Sequence, residues 1–132
     1  RKYLSEEVCL EPDLRLKLEA IIHPEVRKRV IEEFRITPEG EIAINEVPLL
    51  FEVGLDSHYD LIISVISDKE KRIQRTTQRG FSRADTVARM SAQVEDDERI
   101  AKSDIVIEND GDLLELEQRV KEVWRQISAS KT

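Results

Sequence analysis

Two short apolar runs constrain this chain most, because they lie far apart and only helix-patterned, charged sequence separates them. The first is Leu61-Ile-Ile-Ser-Val-Ile66 and the second is Ile105-Val-Ile107, within Asp104–Asn109. Each has the length and β-branched content of a buried strand. Between them, Ser67-Asp-Lys-Glu70 has the pattern of a capping box and opens a predicted helix that runs to about Arg79. Ser82-Arg-Ala-Asp85 opens another, predicted to reach about Lys102. A further strand is predicted over Glu41–Val47, after a turn at Thr37-Pro38-Glu39-Gly40 and before Pro48. Strands separated by helices imply an α/β fold, a parallel sheet with helices on both faces.

The flanks are helical. Glu11-Pro12-Asp13 restarts a helix after a short first one, with Pro12 suited to the first helical position. Leu14, Leu16, Leu18, Ile21 and Ile22 give it an apolar face, and His23-Pro24 is predicted to interrupt it. Val26, Val30, Ile31 and Phe34 then continue at helical spacing. At the other end Asp112 caps a last helix with Leu113, Leu116, Val120, Val123, Trp124 and Ile127 on one face, and Ser128–Thr132 is expected to fray. There is no internal repeat and no low-complexity segment.

Composition narrows the function. A chain of 132 residues holds at most one ordinary domain, and 39% hydrophobic against 37% charged residues leaves each helix one apolar face. The net charge of −7 argues against a general nucleic-acid binder, which needs many phosphate-neutralising cations. Against that sign, Arg72, Arg75, Arg79, Arg83, Arg89 and Arg99 cluster in one part of the chain, which leaves room for a basic pocket for one small polyanion. The single Cys9 has no intrachain disulfide partner and reads as a small buried hydrophobe suited to a reducing, cytoplasmic location. No apolar run approaches about 18 residues, so no membrane partner or span is expected, nor a signal peptide. The sequence opens on Arg1 inside helix-like sequence, which is the pattern of a processed or trimmed piece. Zinc-ligand spacing and a Gly-x-Ser-x-Gly nucleophile turn are both missing.

Open α/β sheets bind ligands beyond the carboxyl ends of their strands, so the residues that follow each strand come first. The predicted strand over Glu41–Val47 leads through Glu46 into Pro48, Leu49, Leu50, Phe51 and Glu52. An acid there holds a water on Mg²⁺ or accepts a proton, or is simply a solvated loop carboxylate. Asn109 and Gly111 after the last strand border a purine base, or only build a turn. Arg72, Arg75 and Arg79 share one helix face, a hinge-like Gly80 follows, and Arg83, Arg89 and Gln93 come next. Arginines on a mobile helical pair suit a phosphoryl-transfer lid. The other reading is a solvated face paired with Asp68, Glu70, Asp96 and Asp97. His23 either lines a site or packs and caps.

Several of these signals occur together in one order. Leu18-Glu-Ala-Ile-Ile-His-Pro24 is similar to the Leu-Glu-x-Ile-x-His-Pro segment of dephospho-CoA kinases. Glu46-Val-Pro-Leu-Leu-Phe-Glu52 resembles their Asp-Val-Pro-Leu-Leu-Phe-Glu, with Glu in place of Asp. Arg79-Gly-Phe-Ser-Arg83, Arg89 with Gln93, and Ser103-Asp-Ile-Val-Ile-Glu-Asn109 resemble the family's lid and base-side motifs. The resemblance implies a P-loop nucleoside-kinase-like fold that transfers the γ-phosphoryl of ATP to the ribose 3′-hydroxyl of dephospho-CoA with Mg²⁺. On that implication residues 1–40 form the acceptor-binding helical segment. Residues 41–132 form the rest of the kinase core, with a lid over about 68–103. His23, Arg27, Pro48, Leu49, Phe51 and Glu52 fall to the acceptor. Arg79, Arg83, Arg89, Gln93 and Asn109 fall to the nucleotide, and Glu46 and Arg89 to catalysis, with Glu46 meeting the metal through water.

The departure from the family is the phosphate loop. No Gly-x-x-x-x-Gly-Lys-Ser/Thr run occurs in these 132 residues, and the family's acid after its second strand is also missing. This chain alone is therefore expected to be inactive. In the kinase sheet the phosphate-loop strand lies between the equivalents of Ile42–Val47 and Leu61–Ile66. Its absence would hold those two about 9.6 Å apart, with unpaired backbone between them. Upstream residues, rearrangement or association with other copies are the ways to fill that gap. The competing reading is a non-catalytic CoA-binding or oligomerising module derived from the same fold.

Overall fold

The computed structural model describes residues 12–129 and divides into two compact units, residues 1–46 and 47–132. The expected first helix, Cys9 and residues 130–132 at the frayed end lie outside the described residues. In the first unit, helix α1 spans Pro12–Ile36, with Asp13 in its first turn and Arg35 in its last, each complementing the helix dipole. The predicted break at His23-Pro24 does not occur, and Pro24 sits inside the helix. Proline there removes one backbone donor, and the Leu-, Glu-, Lys- and Arg-rich turns on both sides carry the helix across it. The end is local: the Thr37 hydroxyl donates to the Glu33 carbonyl at 2.9 Å, and Pro38 follows. Gly40, at φ 82°, completes the predicted turn with Glu41 N–H on the Pro38 carbonyl at 3.0 Å.

The predicted strand over Glu41–Val47 is not formed. A strand exists through the ladder it makes with a neighbour, and no such neighbour is present among the described residues.

The second unit opens with a turn over residues 48–54 and a 3₁₀ turn at Asp56–His58. There follow β1 (Ile63–Ile66), α2 (Lys69–Gln78), α3 (Arg83–Met90), α4 (Asp96–Ala101), β2 (Ile105–Glu108) and α5 (Leu113–Ala129). The two strands pair in parallel, Ile63 with Ile105 through Ile66 with Glu108, as the crossover pattern requires. At the amino end the Asp104 carboxylate extends the ladder, accepting the Ile62 N–H at 2.7 Å. At the carboxyl end the Asn109 N–H reaches the Ile66 carbonyl at 2.8 Å.

Local chemistry sets the helix ends. Gly80 has φ 92° and donates to Thr77, while Phe81 donates to Thr76, at 2.9 and 3.3 Å. This is the paired closure of a Schellman stop, so Gly80 ends α2. Ser82 caps α3 through the Asp85 N–H at 3.0 Å. The helix predicted to run to Lys102 divides in two, because Glu52 captures the Val94 N–H at 2.9 Å. Asp96, Asp97 and Glu98 then start α4 afresh with acids in its first turn.

The buried apolar side chains of the described residues are Ile73 on α2 and Ile107 on β2, at 3% and 6% exposure. Ser64, Ser67 and Thr86 are buried with them, and each hydroxyl has a partner, such as Ser64 with Ser103 at 2.6 Å. The sheet is not covered throughout on both faces as expected: Val65 of β1 remains 54% exposed. Among the described residues only two strands pair, so β1 has no further strand on its other edge. Among the described residues no helix is long and apolar enough to cross a membrane.

Ile73→Ala is expected to lower stability by about 2–5 kcal/mol in urea unfolding, since it leaves a cavity. Val65→Ala should cost less than about 1 kcal/mol. Equal losses would place the core elsewhere.

Candidate functional site at the carboxyl ends of the parallel strands

Because β1 and β2 run parallel, the loops that leave them, Ser67-Asp68 and Asn109-Asp110-Gly111, emerge at one edge. One side chain ties the two loops. Asp110 Oδ1 accepts from the Ser67 hydroxyl at 2.9 Å and from the Asp68 N–H at 2.8 Å. Lys71 Nζ donates to the Asp110 carbonyl at 2.5 Å. Arg75 Nη1 donates to the Asn109 carbonyl at 2.8 Å and, more weakly, to Ser67 Oγ at 3.3 Å. The expected cap of α2 moves by one residue in consequence. With Ser67 turned to Asp110, it is Asp68 Oδ1 that takes the Glu70 and Lys71 N–H groups.

The Asp68 N–H and then the Ser67 hydroxyl hold the Asp110 carboxyl below its ordinary range, and Lys71 and Arg75 add to this. Beyond the loop, Asp112 and Glu115 cap α5 reciprocally at 2.9 and 3.2 Å. A cavity of about 460 Å³ opens there, lined by Asn109, Gly111, Leu116, Arg119 and others.

The arginines divide into two groups. Arg72 pairs with Asp96 of α4 at 2.5 Å, Arg75 holds the Asn109 loop, and Arg99 sits 3.6 Å from Glu52. These three are part of the framework. Arg79, Arg83 and Arg89 are exposed around the α2–α3 connection. Arg83 forks onto Glu70 at 2.9 and 2.8 Å. That contact lowers the Glu70 carboxyl and raises the Arg83 guanidinium relative to their ordinary values. A pair so open to water is weak and exchangeable. Arg89 stacks over the Phe81 ring, 5.5 Å from its centre. The acids named as possible partners do pair in two cases, Asp96 and Glu70, but between helices rather than along one.

Pro48 opens the turn over residues 48–54, and the Val53 and Leu55 N–H groups close it on the Leu49 and Leu50 carbonyls at 3.2 and 3.0 Å. Glu52 is tied inward to Val94 and Arg99, with side-chain exposures of 15% for Glu52 and 16% for Arg99. This ties the Leu49–Glu52 turn to the segment that precedes α4. Phe51 lies under Lys102, whose ammonium is 5.8 Å from the ring centre.

In the first unit His23 and Arg27 stand one turn apart on α1. With Lys28, Ile31 and Arg35 they line a groove of about 520 Å³. Glu46 closes that unit and is exposed. No group of three or more His, Cys, Asp or Glu residues able to hold a metal assembles among the described residues.

The residue that sequence reasoning passed over is Asp110. Its local signal was an Asn-Asp-Gly turn that names no partner.

Parallel strands, arginine-bearing crossover helices and a tied carboxyl edge define an α/β protein of the kind that takes its ligands beyond its strand tips. The family model described as dephospho-CoA kinase matches residues 1–115. The chain belongs to the dephospho-CoA kinase family. A dephospho-CoA kinase of Frankia casuarinae is 37% identical over 99% of this chain and 57% of its own length. A crystal structure from Thermus thermophilus superposes with a TM-score of 0.79 at 35% identity, covering 96% of this chain and 66% of that one. A dephospho-CoA kinase from Campylobacter jejuni gives a TM-score of 0.72 at 28% identity, over 100% and 67%. The chain thus spans under two-thirds of the Frankia relative's length.

The Asp110 contacts carry a pH signature. Its folded-state pKa is depressed below the ordinary 3.8. Its contribution is therefore full above that value and is lost as pH falls through the lower folded one. Amide exchange at Asp68, followed by NMR, should speed up as pH falls below about 4 beyond its intrinsic trend. In Asp110→Asn that step should vanish. An unchanged step in the variant would assign it to another carboxylate.

Proposed function

We propose that this chain is a segment of an ATP-dependent dephospho-CoA kinase. That enzyme moves the γ-phosphoryl of ATP to the ribose 3′-hydroxyl of dephospho-CoA, the final step of coenzyme A synthesis. The observation that carries the reading is the family match over residues 1–115, and the geometry of the sheet edge agrees with it. Asn109, at the tip of β2, borders the adenine base. Arg79, Arg83 and Arg89, with Gln93, face the phosphates from the exposed helices α2 and α3. Arg83 reaches them by exchanging Glu70 for phosphate oxygens, which an exposed pair permits at small cost. Arg89 spreads the charge that develops on the transferred group.

The acceptor falls to the α1 groove with His23 and Arg27, whose basic neighbours Lys28 and Arg35 suit its phosphates. In the second unit, Pro48, Leu49, Phe51 and Glu52 are the further acceptor-side residues, with Glu52 fixing their turn to α4 through Val94 and Arg99. Glu46 offers a single exposed carboxylate. That fits Mg²⁺, which keeps several waters and takes only one or two carboxylates beside substrate phosphates. Glu46 is the residue that would hold Mg²⁺ through water, and the ion would supply charge neutralisation of phosphate oxygens. The partners are the two small molecules, in a cytoplasmic setting. The phosphate loop is missing from these 132 residues, so the chain by itself lacks the lysine and backbone amides that grip the β- and γ-phosphates.

Two assays test this. The 132-residue chain alone should phosphorylate dephospho-CoA no faster than background. A full-length protein carrying it should turn over at about 1 s⁻¹ or faster. In that protein Arg83→Ala and Arg89→Ala should each lower kcat/KM for ATP about tenfold or more, with little change in Tm. Normal kinetics with lost stability would make these arginines structural. Turnover by the short chain alone would overturn the assignment of the missing groups.

A further inference from the structure

We infer that Asp110, backed by Arg75, is a positioning residue that fixes the base-side loop and so sets selectivity for the nucleobase over the bare triphosphate. The inference rests on the reading of this edge as a nucleotide site. Its own ground is the pattern of bonds that fixes the loop. Three successive acceptors of that loop are taken from the β1–α2 side. They are the Asn109 carbonyl by Arg75 at 2.8 Å, the Asp110 carboxylate by Ser67 and Asp68 at 2.9 and 2.8 Å, and the Asp110 carbonyl by Lys71 at 2.5 Å. A fifth bond, Asn109 N–H to the Ile66 carbonyl at 2.8 Å, anchors the loop to β1.

Asp110 borders the cavity with Glu108, Glu115 and Glu122, but its bonds point to the loop rather than to a ligand. An unpaired carboxylate facing a polyphosphate would repel it. Here one carboxylate oxygen takes two donors from the framework and lies 3.9 Å from the Lys71 ammonium, so its charge is partly offset by the edge. Ser67, which links Asp110 to Arg75, is itself buried. A loop held by five bonds from neighbouring elements keeps its shape when a ligand arrives.

What the loop lends to the adjoining cavity of about 460 Å³ is the Asn109 and Gly111 face. The Asn109 amide carries both a donor and an acceptor, the pairing that distinguishes one purine edge from another. Gly111 adds no side chain of its own, but the Glu115 carboxylate that caps α5 lies over it, so a flat ring reaches that face once Glu115 swings aside. The triphosphate, by contrast, falls to the exposed arginines of α2 and α3. Loosening the loop should therefore weaken recognition of the base and leave recognition of the phosphates nearly intact.

The test uses the full-length protein and direct titration with two probes, ATP and inorganic tripolyphosphate, each with Mg²⁺. Asp110→Ala removes the central acceptor. Arg75→Ala is the second variant: it removes only the donor to Asn109 and its weak contact with Ser67, so it remains informative if the first variant folds poorly. Each should weaken ATP about fivefold or more, while tripolyphosphate changes by less than about twofold. KM for ATP should rise, and kcat per folded molecule should hold near its wild-type value. The preference for ATP over inosine triphosphate should shrink in parallel. If both probes weaken equally, or neither does, while the wild-type protein binds ATP, the positioning role is wrong and the kinase reading stands. A wild-type protein that binds no ATP overturns both.

Discussion

A single carboxylate oxygen, Asp110 Oδ1, receives the Ser67 hydroxyl and the Asp68 N–H, and much of the second unit is organised around that junction. A two-stranded parallel pair has little cooperative strength of its own, because its strands share one ladder and no other strand pairs with either among the described residues. Joining the loops at its carboxyl end gives the pair a fixed mouth. The same junction sets where α2 starts, since Ser67 is withdrawn from capping and Asp68 takes over. The start of α2 in turn sets where Arg72 meets Asp96 and where Arg75 reaches Asn109. A second junction, Glu52 with Val94 and Arg99, does the corresponding work for the turn over residues 48–54. It also explains why one predicted helix becomes α3 and α4.

The arginines show how one residue type serves two purposes in a short stretch. Arg72, Arg75 and Arg99 are partly buried and bonded to the framework, where moving them would strand a charge. Arg79, Arg83 and Arg89 are exposed, and the two with visible contacts, Arg83 on Glu70 and Arg89 on Phe81, hold partners that a phosphate can replace. The Schellman closure at Gly80 separates the sets by ending α2 abruptly, which lets α3 leave in a new direction.

The two paired strands, the first of them starting at Ile63 rather than Leu61, the parallel crossover and the caps at Ser82 and Asp112 were legible in the sequence, because short-range chemistry decides them. The failures are equally physical. The Glu41–Val47 segment has strand composition, but strand formation depends on a partner that local sequence cannot supply. Pro24 proved weaker than the helix on either side of it. Asp110 was invisible because its role follows from the β1–β2 register, which brings Ser67 to it across 43 positions of sequence. The helix face of Arg75 suited either a phosphate lid or a solvated surface, and only the structure shows it turned to the Asn109 carbonyl. The order of motifs pointed to the family before any contact was known. The site roles carried by that resemblance for His23, Arg27 and Glu46 remain part of the proposed mechanism.

Hydrogen–deuterium exchange of the full-length protein, with and without ATP and Mg²⁺, tests most directly whether the nucleotide sits at this strand edge. Slower exchange should concentrate in residues 67–71 and 108–112, with a second zone over 79–93 where the exposed arginines lie. Protection confined to other segments, with those three unchanged, would contradict the placement of the nucleotide at the carboxyl edge of β1 and β2.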